Sequence, residues 1–276
     1  MDRMKYTLYC IVGIIFTSTS CQVNRMSNMN KETTRDIYTI PAGWNGARLP
    51  VIEKLFERVS EHFDEVIMNA RNSDIVVIQS RKIDEAYDYP MLLERENYSL
   101  ILLSAQENFW AKFVYQFSHE YMHYHIAREF KPRNDNFAWF EESLCELSSL
   151  YMLRKLSSMD FDDGLIESYK SAFANYYDIT VPDTVDLQGV ELNRAIKNYE
   201  SVLSKNRVER KFNMTVALQI LSYFEDNPMR WSYVRYLNKV EDGNCKSFKD
   251  YINAWQDLLP EKDKQDFDWL KIRLLG

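Results

Sequence analysis

Glycine and proline are scarce in this chain, at 7 residues each in 276. That argues against a loop-rich or repeat-built β architecture, which needs such residues at every turn. No internal repeat of fixed period and no low-complexity run is present. Basic charge is not in excess either: 34 Lys and Arg stand against 41 Asp and Glu, for a net charge of −7 and a pI near 5.3. Without a basic stripe the chain lacks the electrostatic footprint of nucleic-acid binding. Cysteine is limited to 4 residues, too few for a disulfide framework. What is there is an ordinary globular balance, 46% hydrophobic and 27% charged, rich in the Leu, Glu, Lys and Tyr that favour helices. The length suffices for one large domain or two small ones with a substantial core.

The first residues, "MDRMKYTLYCIVGIIFTSTSC", have a basic start (Arg3, Lys5), an apolar stretch from Tyr6 to Phe16, and then small residues. This is the three-part layout of a secretory signal, and it is too short to span a membrane. Ser18-Thr19-Ser20-Cys21 resembles a bacterial lipobox, with Ser18 where an aliphatic residue is usual. That resemblance implies a signal peptide over 1–20, lipid attachment at Cys21, and a place in the bacterial cell envelope. The alternative is a cleaved signal and a secreted protein. The polar stretch that follows reads as a tether over 21–35, the spacer an anchored domain needs. Cys145 and Cys245 then remain in the folded part, either as a pair or as two buried thiols.

Apolar residues recur at helical spacing over 52–70. "DIVVIQS" (74–80) and "YSLILLS" (98–104) read as strands, with a loop at 84–90. A long helix is expected over 107–130, with Phe109, Phe113, Phe117 and Tyr121 on its core side and Pro132 closing it. A second follows over 137–156, and only helical patterns come after Asp160. The expectation is an α+β fold, mainly helical. A small sheet with an edge strand precedes the long helix in a domain over 36–158, and a helical subdomain spans 159–276.

Three of the chain's four histidines fall within "FSHEYMHYH", 117–125. His119 and His123 stand at i and i+4, on one helix face and about 6 Å apart along the axis, a spacing that lets two imidazoles meet one zinc ion. Glu120 lies roughly 100° around the helix, placed to reach a water rather than to ligate. His125 points away from that face and reads as a surface or packing residue, and His62 belongs to a separate helix. A zinc hydrolase needs a third ligand and an open position. Eighteen residues separate His123 from Glu142, within "WFEESLCEL" (139–147), and a helical reversal returns that segment to the histidines. Glu141 is the rival ligand there, and Cys145 reads as a small core residue.

With these residues the chain resembles the gluzincin zinc peptidases, in which HExxH is followed after a similar interval by a ligand glutamate. The interval and the "WFEESLCEL" segment are most like the aminopeptidase branch. The resemblance covers about sixty residues, 98–156. It implies a zincin-like fold and a zinc-dependent metallopeptidase acting on peptides or proteins. It further implies His119, His123 and Glu142 as Zn2+ ligands, Glu120 as general base, and Glu146 as the acid that fixes a ligand histidine. It also implies that "YSLILLS" is the edge strand pairing with substrate. The chain departs from that branch in lacking its Gly-x-Met-x-Asn amine-binding element, of which "SAQEN" (104–108) is only an echo. No histidine follows His125 to stabilise the tetrahedral intermediate, which turns attention to tyrosines of the helical half: Tyr199, Tyr223, Tyr233 and Tyr236. The competing reading is a non-catalytic zinc-binding envelope lipoprotein.

Overall fold

Helix α1 (Leu49–Ile67) takes its start from Pro50 in the first turn and ends at Met68, whose left-handed backbone (φ 49°) returns its N–H to the Asp64 carbonyl. Between those ends Ile52, Leu55, Phe56, Val59, Phe63 and Ile67 recur on one face, and all are buried. In the computed structural model of the chain, residues 35–68, 73–83, 88–127, 135–161, 164–181 and 191–276 are described. The signal segment, Cys21, most of the tether and Pro132 lie outside them.

Around α1 the chain builds a four-stranded sheet. Strand β1 (Ile37–Thr39) runs parallel to β2 (Asp74–Gln79), with α1 as the crossover. Strand β2 pairs in parallel with β4 (Tyr98–Leu103), and β3 (Met91–Glu94) pairs antiparallel with β4, giving the order β1-β2-β4-β3. Side chains alternate as pleating demands. Ile75, Val77, Ile101 and Leu103 enter the main core, while Val76, Ile78, Leu100 and Leu102 form a smaller cluster on the other face. The strands expected over 74–80 and 98–104 are present, but "YSLILLS" is an interior strand. The edge strand before the long helix is β3, a four-residue element that its brevity hid.

Helix α2 (Trp110–Ile126) carries Phe113, Phe117 and Tyr121 into the core, with Phe117 stacked on Phe56 at 4.2 Å. Phe109 lies just before the helix and is exposed, contrary to the expected stripe, because the helix begins one residue later. Gln116 sets the entry of this helix: its Oε1 accepts the backbone N–H groups of Ser104 and Ala105 at the end of β4. Helix α3 (Ala138–Ser158) runs antiparallel to α2. Contacts step backwards along α2 as they step forwards along α3, from Glu141 on His123, through Ser148 Oγ donating to the Ser118 carbonyl, to Ser149 Oγ donating to that of Tyr115. Small residues at this seam let the two backbones approach closely.

The rest is helical: α4 (Gly164–Glu167), α5 (Lys170–Thr180), α6 (Leu192–Leu203), α7 (Arg210–Asp226), a 3₁₀ stretch over Pro228–Lys239, α8 (Phe248–Asp257) and α9 (Glu261–Leu275). These helices share one apolar core with the first part. Trp231 from the 3₁₀ stretch packs edge-on against Phe63 of α1 at 5.2 Å, and Asn213 of α7 donates to the Trp139 carbonyl of α3. The fold is therefore α+β and mainly helical, with a small mixed sheet. Cys145 and Cys245 are both buried and no disulfide joins them. No helix among the described residues is long and apolar enough to cross a membrane.

Candidate metal centre

A cleft of about 1200 Å³ opens between strand β3, the facing sides of α2 and α3, helix α5, and the segment 207–215 that leads into α7. His119, Glu120 and His123 reach it from α2, and Glu141, Glu142 and Glu146 from α3. The i, i+4 spacing sets the two imidazoles side by side, with ring centroids 5.0 Å apart. The antiparallel return of α3 brings Glu142 between them. Its Oε2 lies 3.4 Å from His119 Nε2 and 3.6 Å from His123 Nε2. Tetrahedral ligands held 2.0–2.1 Å from a zinc ion stand about 3.3 Å from one another, close to the two distances that Glu142 makes.

The other ring nitrogens face carboxylates too. His123 Nδ1 is 2.7 Å from Glu141 Oε1, the distance of an N–H donating to a carboxylate. In the neutral ring that bond places the proton on Nδ1 and leaves Nε2 as the lone-pair donor. Glu146 Oε2 lies 3.8 Å from His119 Nδ1, beyond a hydrogen bond, and Glu146 accepts instead from the Tyr115 hydroxyl. Glu141 is therefore turned to the far side of a histidine rather than towards the shared centre. As neighbours on one helix, Glu141 and Glu142 meet different nitrogens of the His123 ring.

Electrostatics divide the carboxylates. Burial opposes ionisation of Glu142, but hydrogen bonds from His119 and His123 outweigh it and hold the carboxyl well below its usual range. Glu120, only 4% exposed, is pushed upward by burial, against the pull of His119 and His123 and a hydrogen bond from the backbone N–H of Leu92 in β3. Glu146 is raised by the same burial. At His123 burial disfavours the charged imidazole, yet the Cys145 sulfur and the carboxylates of Glu141 and Glu142 reverse the sign, and its pKa lies well above the ordinary value.

A second donor set overlaps the first. Among the described residues, donor atoms of His119, His123 and Cys145 lie within 4.8 Å of one another. Cys145 is fully buried, and burial pushes its thiol up to about 12. It does not line the cleft, whereas Glu142 does.

The remaining histidines have structural surroundings. His125 is fully buried, edge-on to Tyr121 at 4.8 Å and with Nε2 3.5 Å from Asp64 Oδ1, so it packs and is not a surface residue. Arg35 pairs with the same Asp64 and sits over the Tyr121 and Tyr124 rings, joining the end of the tether to the back of α2. His62 stacks on Tyr151 at 5.4 Å, and burial lowers it to about 3. None of the four tyrosines expected to face the centre lines the cleft. Tyr223 and Tyr233 both donate to Asp266, Tyr236 accepts from Arg235, and Tyr199 lies exposed against Phe212. Tyr115, Tyr176 and Arg207 occupy the cleft instead, with Arg207 Nε 3.6 Å from Glu142 Oε1. Nothing in their sequence spacing marks these three.

No protein-family model, no curated protein and no solved structure matches the chain.

Proposed function

We propose that this chain is a zinc-dependent metallopeptidase of gluzincin type, with a zincin-like fold and Glu120 as its general base. The observation that carries the reading is the convergence of His119 Nε2 and His123 Nε2 on Glu142 Oε2 at 3.4 and 3.6 Å, beside an open cleft and a buried glutamate. Zinc bound there would lower the pKa of a water and polarise a carbonyl.

Everything else belongs to the chain's own side chains. His119, His123 and Glu142 hold the metal, and Glu141 keeps His123 in the tautomer that ligates through Nε2. Glu120 takes a proton from water and returns it to the leaving amine. Arg207 and Tyr176 are the cleft donors available to a developing oxyanion, in place of the tyrosines first expected.

Strand β3 supplies the backbone. Arg95 N–H donates to the Tyr98 carbonyl, so 91, 93 and 95 face β4, and the outward backbone groups are those of Leu92 and Glu94. An extended peptide laid along this edge pairs with Glu94 and with the Leu92 carbonyl and passes over the histidines. Leu92 already donates to Glu120, which ties the substrate strand to the base.

The same reading sets the enzyme at the bacterial cell envelope, held by lipid on Cys21. The buried Cys145 favours a second reading, a structural zinc held by His119, His123 and Cys145 in a non-catalytic module. Peptide-library cleavage by zinc-loaded protein separates the two, with a chelator and Glu120→Gln as controls. The peptidase reading expects cleavage that both controls abolish, and absence of any cleavage by the zinc-loaded protein rejects it.

A further inference from the structure

One wall of the cleft is basic in a chain whose net charge is −7. Arg207, Arg210 and Lys211 stand within five positions of one another, all exposed and all lining the cleft, which Lys112 of α2 also lines. The acidic groups of the same cleft already have occupations. Glu141 holds His123, Glu142 sits between the two histidines, Glu146 accepts from Tyr115, Asp88 pairs with Arg81 at 2.8 Å, Glu94 accepts from the Ser99 hydroxyl, and Glu120 accepts from the Leu92 N–H. Arg210 is close enough to Glu146 and Tyr115 for both to feel its charge, yet Arg210 and Lys211 make no ion pair among the described residues.

This wall is held in place. Asn213 donates through Nδ2 to the Trp139 carbonyl at 2.6 Å and to the Arg207 carbonyl at 3.3 Å. The segment carrying the cations is thus stapled to the first turn of α3, three residues before Glu142. Like charges crowded at a fixed site repel one another, an arrangement relieved by an anion between them.

We propose that this wall is the subsite for a carboxylate, so that the favoured peptide carries negative charge close to the scissile bond. This rests on the peptidase reading of the same cleft. The carboxylate comes either from the peptide's own C-terminus or from a Glu or Asp side chain, and the chemistry of recognition is the same for both. Strand β3 holds the backbone on one side, and Arg210 and Lys211 engage the charge on the other.

The test is binding by the zinc-loaded Glu120→Gln protein, in which hydrolysis is removed. Fluorescein-labelled peptides of one sequence are compared by anisotropy in four forms: Gln-containing free acid, Gln-containing amide, Glu-containing amide and Lys-containing amide. At least one acidic form is expected to bind about tenfold tighter than the neutral amide, with the Lys form weakest. The preference shrinks as salt is raised. Preference for the free acid identifies the C-terminus as the source, and preference for the Glu amide identifies an internal side chain. Arg210→Gln with Lys211→Gln erases the difference while leaving the melting temperature and zinc content intact, since both residues are exposed.

Equal binding of acidic and neutral peptides, retention of the preference in the double variant, or binding of none of the four overturns the inference. Hydrolysis of peptides without regard to charge overturns this inference alone. Charge-selective binding by a protein that hydrolyses nothing overturns the peptidase reading alone.

Discussion

Replacing Glu141 isolates the step by which α3 prepares His123 for a metal. The Glu141 Oε1 to His123 Nδ1 bond, at 2.7 Å, is the shortest contact either histidine makes with a carboxylate, whereas Glu146 stands 3.8 Å from His119 Nδ1. Removing such an outer partner lowers metal affinity about ten- to a hundredfold, roughly 1.4–2.8 kcal/mol. Glutamine keeps an acceptor oxygen and loses the charge, so Glu141→Gln belongs near the tenfold end. Glu141→Ala loses both and belongs near the hundredfold end. Glu146→Gln, which breaks no bond to His119, is expected to cost less than about threefold. Zinc affinities come from competition with a chromogenic chelator, with circular dichroism to verify folding. Equal losses in Glu141→Gln and Glu146→Gln, or wild-type affinity in Glu141→Ala, would refute the assignment. Complete loss of binding in Glu141→Ala would instead make Glu141 a direct ligand.

Other expectations follow from the same contacts. Glu142→Ala is expected to abolish tight zinc binding while Cys145→Ala leaves it within about threefold, because three ligands and an open position complete a hydrolytic site; a zinc-edge absorption spectrum with sulfur at about 2.3 Å would reverse that order. His62 is depressed to about 3 in the folded chain against about 6.5 unfolded. The unfolded state therefore binds the extra proton below about 6.5, and stability falls as pH drops from there towards 3, at up to about 1.4 kcal/mol per pH unit. Urea midpoints across that range should show a shallower decline for His62→Phe, and an unchanged slope would contradict the assignment. Trp231→Ala empties the fully buried space against Phe63, Tyr151 and Phe224. It is expected to cost about 3–5 kcal/mol in denaturant unfolding, and a loss under about 1 kcal/mol would show that the two halves do not share a core.

How much of this was legible in sequence varies with the range of the interaction. Helical spacing carries its own geometry, so α1, α2 and α3 emerged within a few residues of their bounds, and His119, His123 and Glu142 were brought together as the spacing implied. Strands β1 and β3, of 3 and 4 residues, are too short to show an alternating pattern, and the edge was therefore assigned to β4. Glu141 was readable only as a competitor of Glu142, since two adjacent carboxylates do not reveal which ring nitrogen each will meet. The tyrosines failed for a related reason. Tyr223 and Tyr233 are committed to Asp266, 43 and 33 positions away, and no local pattern announces such a pairing. The basic wall is local in sequence, since Arg207, Arg210 and Lys211 fall within five positions, but nothing in that run announces that it lines the same cleft as the histidines.

Single-turnover hydrolysis of a cleaved peptide by wild type and Glu120→Gln, at matched zinc occupancy, tests the central claim most directly. The account predicts that the variant keeps its zinc and loses about 10²–10⁴ in rate, the usual contribution of a positioned acid–base group. A variant that holds zinc and cleaves as fast as wild type would contradict it.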